Sequence, residues 1–280
     1  MQKQYWNMKK IKLNNQKKIG IIIVLFMIGF VLLGFLNRNS FELMNKDLIL
    51  KGPSFPHLFG CDEFGRDILK RTQYGMGISV AISFFAVLTG TFFGTVIGAL
   101  CGYFSGVVDE VLSSVIDVLF AVPSLLLALV FVSLFGSGYL QVTLALGISI
   151  IPSFAKMMRS EFKKQKELEY VKMAKLLKIP TARILFVHIL PNVTETFINC
   201  VFIAFNNCIL AEAGLSFLGI GVQPPLASLG TLLSEGGGYI RRAPFMVFFP
   251  ALTLILLLFG IGLLSSGESF HHAYSKRFKD

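Results

Sequence analysis

The apolar residues of this chain are gathered into long blocks free of charge, and the stretches between them are polar and rich in lysine and arginine. A helix that crosses a bilayer needs about 20 predominantly apolar residues, so the pattern is read as a count of spans, and six are predicted. The first, residues 19–36, holds 18 residues without a charge, enough for a thin or slightly deformed bilayer at about 1.5 Å per residue. The charge-free stretch 72–108 is too long for one helix core, so the second span is placed at 78–103, with turns around Gly75, Gly77 and Gly102 to Gly106. Residues 115–135 and 139–155 make a third and fourth span, joined as a hairpin by Gly136-Ser137-Gly138. A fifth, 196–211, is short and carries Asn199, Asn206 and Asn207; the last, 244–264, is strongly apolar. The expected architecture is an all-α membrane protein with six transmembrane helices. It divides into residues 1–71 (tail, first helix and outer loop) and 72–280 (a five-helix core).

Composition agrees: 54% of the residues are hydrophobic and 15% charged, against about 25% charged in soluble domains. A formal charge of +10 could point to nucleic acid, but the basic residues sit between apolar blocks, where they face lipid headgroups rather than a duplex. Lysine and arginine accumulate on the cytoplasmic side of spans. Six precede residue 19 with no acid, nine against four acids lie in 156–195, and three against two follow residue 264. The alternate loops hold six against five (37–71) and two against two (212–243). Both termini and the 156–195 loop are therefore expected in the cytoplasm. The first apolar stretch exceeds the h-region of a signal peptide and no small-x-small site clearly follows it, so it reads as an uncleaved helix in a cell membrane. Cys61, Cys101, Cys200 and Cys208 show neither short metal-ligand spacing nor a disulfide framework, and no metal site is expected.

Two local patterns carry more. Gly90, Gly94, Gly98 and Gly102 recur every fourth residue and share one face of the second helix, a ridge that lets another backbone approach. It serves helix packing, within the chain or against a partner, or else a flexible gate. In the long cytoplasmic loop, Tyr170, Met173, Ala174 and Leu177 fall at i, i+3, i+4 and i+7, with Lys172, Lys175 and Lys178 beside them and Pro180 stopping the run. This short amphipathic helix has to bury its stripe either in the lipid interface or in a groove of a soluble partner.

The string EYVKMAKLLKIPTARILFVHILPN, 169–192, resembles the cytoplasmic signature of permease subunits of binding-protein-dependent ABC importers. FGCDEFGRDILKRTQYG (59–75), IDVLFAVPSLLLAL (116–129) and AEAGLSFLGIGVQPPLASLG (211–230) are similar to the second permease subunit of oligopeptide, dipeptide and nickel transporters. The resemblance implies a type I importer permease fold with a cytoplasmic coupling helix docked in a cleft of a separate ATPase, and assigns Glu169, Tyr170, Met173, Ala174 and Leu177 to that contact. It also implies a second, related permease, two ATPase subunits that use ATP, and an extracytoplasmic binding protein; the cargo is a peptide, nickel or a metal chelate. The sequence departs from the family at Met173, where alanine is usual, at Lys178, where glycine is usual, and in LLSSGESFHHAY, which lacks the usual Gly-Asp-Gly.

Chemistry on the chain itself is not expected. There is no G-x-x-x-x-G-K-[ST] phosphate loop and no H-E-x-x-H zinc motif, and His57, His188, His271 and His272 all lie outside the apolar spans. No cofactor is expected on this chain. Asn199, Asn206 and Asn207 either line a translocation path or bond neighbouring helices. Asp117 suits a wet helix start, and Cys200 with Cys208 could meet a soft metal ion only without histidine help. Asp62, Glu63, Arg66 and Asp67 either dock a binding protein or order their own loop through salt bridges. The alternative function is a self-contained channel or secondary transporter.

Overall fold

The computed structural model describes residues 15–36, 41–104 and 106–265. The chain termini, with the expectations for their side of the membrane and for the atypical C-terminal tail, lie outside these residues.

The described chain is all-helical apart from one isolated antiparallel bridge, Cys61 to Asp67. Helix α1 (Asn15–Leu36) lies against two others. A Cβ at Gly34 would come within 2.7 Å of Gln73, and one at Gly20 within 2.9 Å of Leu263. Helix α2 (Ile68–Tyr103) runs for 36 residues, about 54 Å at 1.5 Å per residue, well beyond a hydrocarbon core of about 30 Å. It starts ten residues before the expected 78. Asp67 caps it, accepting from the backbone N–H of Leu69 (2.9 Å) and Lys70 (3.2 Å), and the polar Arg71, Thr72 and Gln73 of its first turns are buried. The expected division between residues 71 and 72 therefore falls inside a continuous helix.

The straight third span expected over 115–135 is not formed. Helices α3 (Val107–Phe120) and α4 (Ser124–Phe135) meet at 89° across Ala121-Val122-Pro123. Pro123 has no N–H to continue the ladder, and its ring steers Val122 away from helical geometry. At 12 residues α4 is about 18 Å long and cannot cross alone. Five helices are long and apolar enough to cross a membrane, and the bent pair makes the sixth only if counted as one span.

Gly136 and Gly138 take φ of +89° and +145°, open to glycine without strain, and turn the chain into α5 (Tyr139–Lys166). Helix α5 runs well past the expected end at 155 into the basic segment. After α6 (Glu169–Leu176) and a single turn, α7 (Thr181–Arg183), the chain passes through a π turn (Ile184–Ile189) and a 3-10 turn (Leu190–Val193) into α8 (Thr194–Phe217). The whole helical stretch is Thr181–Phe217, so the fifth span is far longer than 196–211. Pro191 removes a donor at the change of register, and the Asn192 side-chain amide donates instead to the His188 carbonyl at 2.6 Å. A cap containing α9 (Leu229–Gly237) follows, and α10 (Phe245–Ser265) closes the bundle. The cap and the 41–67 loop lie at one end of the bundle; α6 lies at the other.

Candidate functional site

Helix α6 has two apolar facets, and the sequence stripe mixes them. Val171 and Ala174 point inward, 0% and 6% exposed, into a cluster with Tyr103 of α2, Met158 and Phe162 of α5, and Ile184, Leu185 and Ile189 of the π turn. Met173 (57% exposed), Leu176 (76%) and Leu177 (70%) point away from the chain. Ala174 therefore seats the helix, while Met173 and Leu177 are offered outward. Val171 and Leu176 belong to these facets and were not singled out from sequence. Glu169 is exposed, and the Tyr170 hydroxyl donates to Gln165 Oε1 at 2.8 Å. Burial pushes the Tyr170 hydroxyl above its ordinary pKa. The Lys175 ammonium stands 4.8 Å from the centre of the Tyr103 ring, a second tie to α2.

Lys178 makes the turn that ends α6 despite not being glycine. It sits at φ +55°; its N–H donates to the Lys175 carbonyl (2.9 Å) and the Ile179 N–H to the Ala174 carbonyl (3.1 Å), the Schellman pattern. A side chain in left-handed backbone costs roughly 1–2 kcal/mol. Lys178→Gly is expected to raise the stability of the purified chain by about 1 kcal/mol, net of the extra freedom glycine gives the unfolded chain, measured by thermal unfolding.

The four ridge glycines all face α5. A Cβ at Gly90 would lie 2.7 Å from the Gly147 carbonyl, at Gly94 2.7 Å from Phe154 Cβ, at Gly98 2.5 Å from the Ala155 carbonyl, and at Gly102 2.6 Å from the Arg159 carbonyl. At the α6 end, ion pairs tie α3 to α5: Arg159 donates twice to Asp109 (2.6 and 2.8 Å), and Lys156 meets Asp117 at 2.7 Å. Asp117 thus has a structural partner.

A cavity of about 220 Å³ opens between α5 and α8, edged by the start of α4; its polar lining is Ser124, Ser149, Ser153, Asn207, Cys200 and Cys208. The three asparagines are not brought together. Asn207 lines this cavity, Asn206 turns its amide toward Gly262 of α10 with Oδ1 buried and unbonded, and Asn199 is half-buried one turn from the start of α8. The cavity is lined without a charged side chain, so it suits a ligand that needs hydrogen bonds rather than a counter-ion.

At the opposite end the charged cluster is a closed network. Asp62, 1% exposed, accepts from the backbone N–H of Phe64 and Arg66, from Arg66 Nε (2.6 Å) and from Arg71 Nη1 (2.8 Å). Arg71 also donates to Glu235 of α9 at 2.6 and 3.3 Å, and His57 meets Asp67 at 2.8 Å. Burial pushes the Glu63 carboxyl above the usual carboxylate range; Asp62 and Glu235 push the same way and Arg66 opposes them. Most of these charges pair with one another, within the loop and with α9. Glu212, which falls in the 212–243 loop of the charge count, is wholly buried in α8, its Oε1 accepting from the Ser216 hydroxyl at 2.7 Å.

A bundle of membrane helices, a seated amphipathic helix presenting an apolar facet at one end, and an uncharged cavity along its length are parts that fit a transport subunit. Residues 94–277 match the family described as binding-protein-dependent transport system inner membrane component, and the chain belongs to it as a permease subunit of a binding-protein-dependent ABC importer. It is 35% identical to the dipeptide transport system permease protein DppC of Alkalihalophilus pseudofirmus over 260 residues, 92% of this chain and 86% of that protein. It is 36% identical to the glutathione transport system permease protein GsiD of Salmonella paratyphi A over 248 residues, 89% and 82% of the two chains. The DppC of Haemophilus influenzae is 34% identical over 230 residues, 82% of this chain and 78% of that one.

Proposed function

We propose that this chain forms half of the translocation pathway of an ATP-driven importer of small peptides and receives the motion of a separate ATPase through α6. The observation that carries the reading is the split of α6 into a seated facet, Val171 and Ala174, and an outward apolar facet, Met173, Leu176 and Leu177. An exposed apolar patch on a short helix is a docking surface when a partner groove covers it. The inward facet joins the ends of α2 and α5 to the π turn that leads into α8, so a push on α6 reaches three membrane helices at once.

The basic excess around α6 supports a cytoplasmic position for this end, with both termini on the same side. The partners are a second, related permease, two ATPase subunits or domains that bind and hydrolyse ATP, and an extracytoplasmic binding protein; the chain itself is non-catalytic and carries no cofactor. The residues proposed for the ATPase contact are Glu169, Tyr170, Met173 and Leu177, with Ala174 holding the helix in place. Asn207 is proposed for the pathway wall. Dipeptide and glutathione transport, named for the relatives, favour a peptide cargo over nickel or a metal chelate.

The test is purification of the tagged chain from its native membrane, followed by uptake in vesicles with a panel of dipeptides, glutathione and nickel. The expected result is a co-purified ATPase and peptide uptake that needs both ATP and the binding protein. Flux through the purified chain alone, without ATP, overturns the reading in favour of a channel or secondary transporter.

A further inference from the structure

Outside the α6 facet and the cavity, the least explained polar group is Glu212. It is fully buried five residues before the end of α8, where Ser79, Ser216 and Ser228 are also buried. Ser216 donates its hydroxyl to Glu212 Oε1 at 2.7 Å. Each serine in turn accepts a backbone N–H from the cap: Val222 to Ser216 (3.1 Å), Leu229 to Ser79 (3.2 Å) and Thr231 to Ser228 (3.4 Å). The carboxyl thus fixes the serine that holds Val222, while Ser79 of α2 and Ser228 at the start of α9 hold two further points of the cap backbone.

The packing around this knot fits the seated cap closely. A Cβ at Gly230 would overlap the Ala213 carbonyl, and one at Gly221 would overlap Ser216. No lysine, arginine or histidine partner is found for Glu212 among the described residues: the nearest cation along α2, Arg71, is engaged by Asp62 and Glu235. The second carboxyl oxygen, Oε2, is buried without a hydrogen bond. A partly satisfied buried network holds a structure in place yet leaves a polar atom that gains when water reaches it. The seated cap gives up Oε2 hydration, and a lifted cap regains it while losing the serine bonds. Two arrangements of comparable stability are what a moving element requires.

We propose that Glu212 is the positioning residue of an outer latch: through Ser216 it seats the cap on α8, beside the bond that Ser79 of α2 makes to Leu229, and the seam so closed is the one that parts when the pathway opens on that face. The inference rests on the importer reading for its direction, while the latch itself can be read without transport. The experiment places the full assembly, with the four native cysteines replaced, in membrane vesicles and introduces Ala227→Cys, a position wholly buried beside the knot. Labelling by a membrane-impermeant maleimide then reports the parting of the seam. Glu212→Ala is expected to speed labelling at least about ten-fold, a change worth ~1.4 kcal/mol, and to release ATP hydrolysis from its need for the binding protein. Glu212→Gln, which keeps an acceptor for Ser216, restores most of the slow labelling. The milder pair Ser79→Ala with Ser216→Ala gives an intermediate rate, and serves if Glu212→Ala does not assemble. Unchanged labelling in an assembled Glu212→Ala complex, or in the serine pair, overturns the latch. Loss of ATP-driven uptake in the unmutated assembly, with the labelling differences intact, instead overturns the importer reading.

Discussion

Met173→Asp together with Leu177→Asp is expected to leave the membrane bundle folded and to abolish association with the proposed ATPase partner. Both side chains point away from the chain, 57% and 70% exposed, so nothing inside is disturbed by the change. Fully burying one such side chain at an interface is worth about 1.5–3 kcal/mol, and a carboxylate set against an apolar groove adds its own desolvation cost. Two substitutions together weaken the contact by roughly 3–6 kcal/mol before that cost, at least a hundred-fold in affinity. Co-purification and ATP-driven uptake are both expected to fall to background, while thermal unfolding of the chain stays close to wild type. Val171→Asp and Ala174→Asp give the opposite signature. They put a charge into the cluster of Phe162, Met158 and Ile189 and lower the melting temperature of the chain itself. If the outward pair melts early, or the double variant still captures ATPase, the assignment of facets is wrong.

That contrast also measures what the sequence could tell. A charge-free block is a property of consecutive residues, so the number and rough place of the spans were legible without knowing any neighbour. The limits of helices were not, because they depend on partners far along the chain. Arg71 opens α2 in a polar run that reads as loop, and it is buried because Glu235, 164 positions away, accepts its guanidinium. The bend between α3 and α4 is hidden in the sequence because Ala121 and Val122 are as apolar as the helices beside them; only Pro123 marks it. In α6, apolar residues occupy both facets of eight residues, and period alone cannot say which side meets the bundle. Glu212 reads as a loop acid because a charge ends an apolar block, and nothing in the sequence shows that Ser216 partners it inside α8.

The parts lie in an order that suits transmission. On the proposed reading, motion applied to α6 passes through Val171 and Ala174 to the α2 and α5 ends, along the seam between those two helices, and on to the cap, which bonds α2 at Ser79. The seam decides whether this path is stiff. If α2 and α5 slid on one another, displacement would be lost within it.

Gly98→Leu is the substitution that breaks the seam. A Cβ there lies 2.5 Å from the Ala155 carbonyl oxygen and 2.9 Å from the Arg159 nitrogen, both backbone atoms, with Met158 Cβ at 2.8 Å. A flexible side chain could swing aside, but a helix backbone yields only by moving the whole of α5. Added bulk in a packed core costs about 1–3 kcal/mol where neighbours can adjust, and here the cost is expected at or above the top of that range, with Gly98→Ala in its middle. Gly90, Gly94 and Gly102 hold the same face over the length of contact, so separating the helices at Gly98 also loosens Phe154 and Phe162. Melting of the purified chain in detergent is the direct measurement. Gly98→Leu is expected to unfold well below wild type and to lose uptake entirely, whereas Gly29→Leu, at a glycine with nothing within 4 Å, melts as wild type and keeps transport. Equal melting of the two leucine variants would mean that α2 and α5 are not held by close backbone contact.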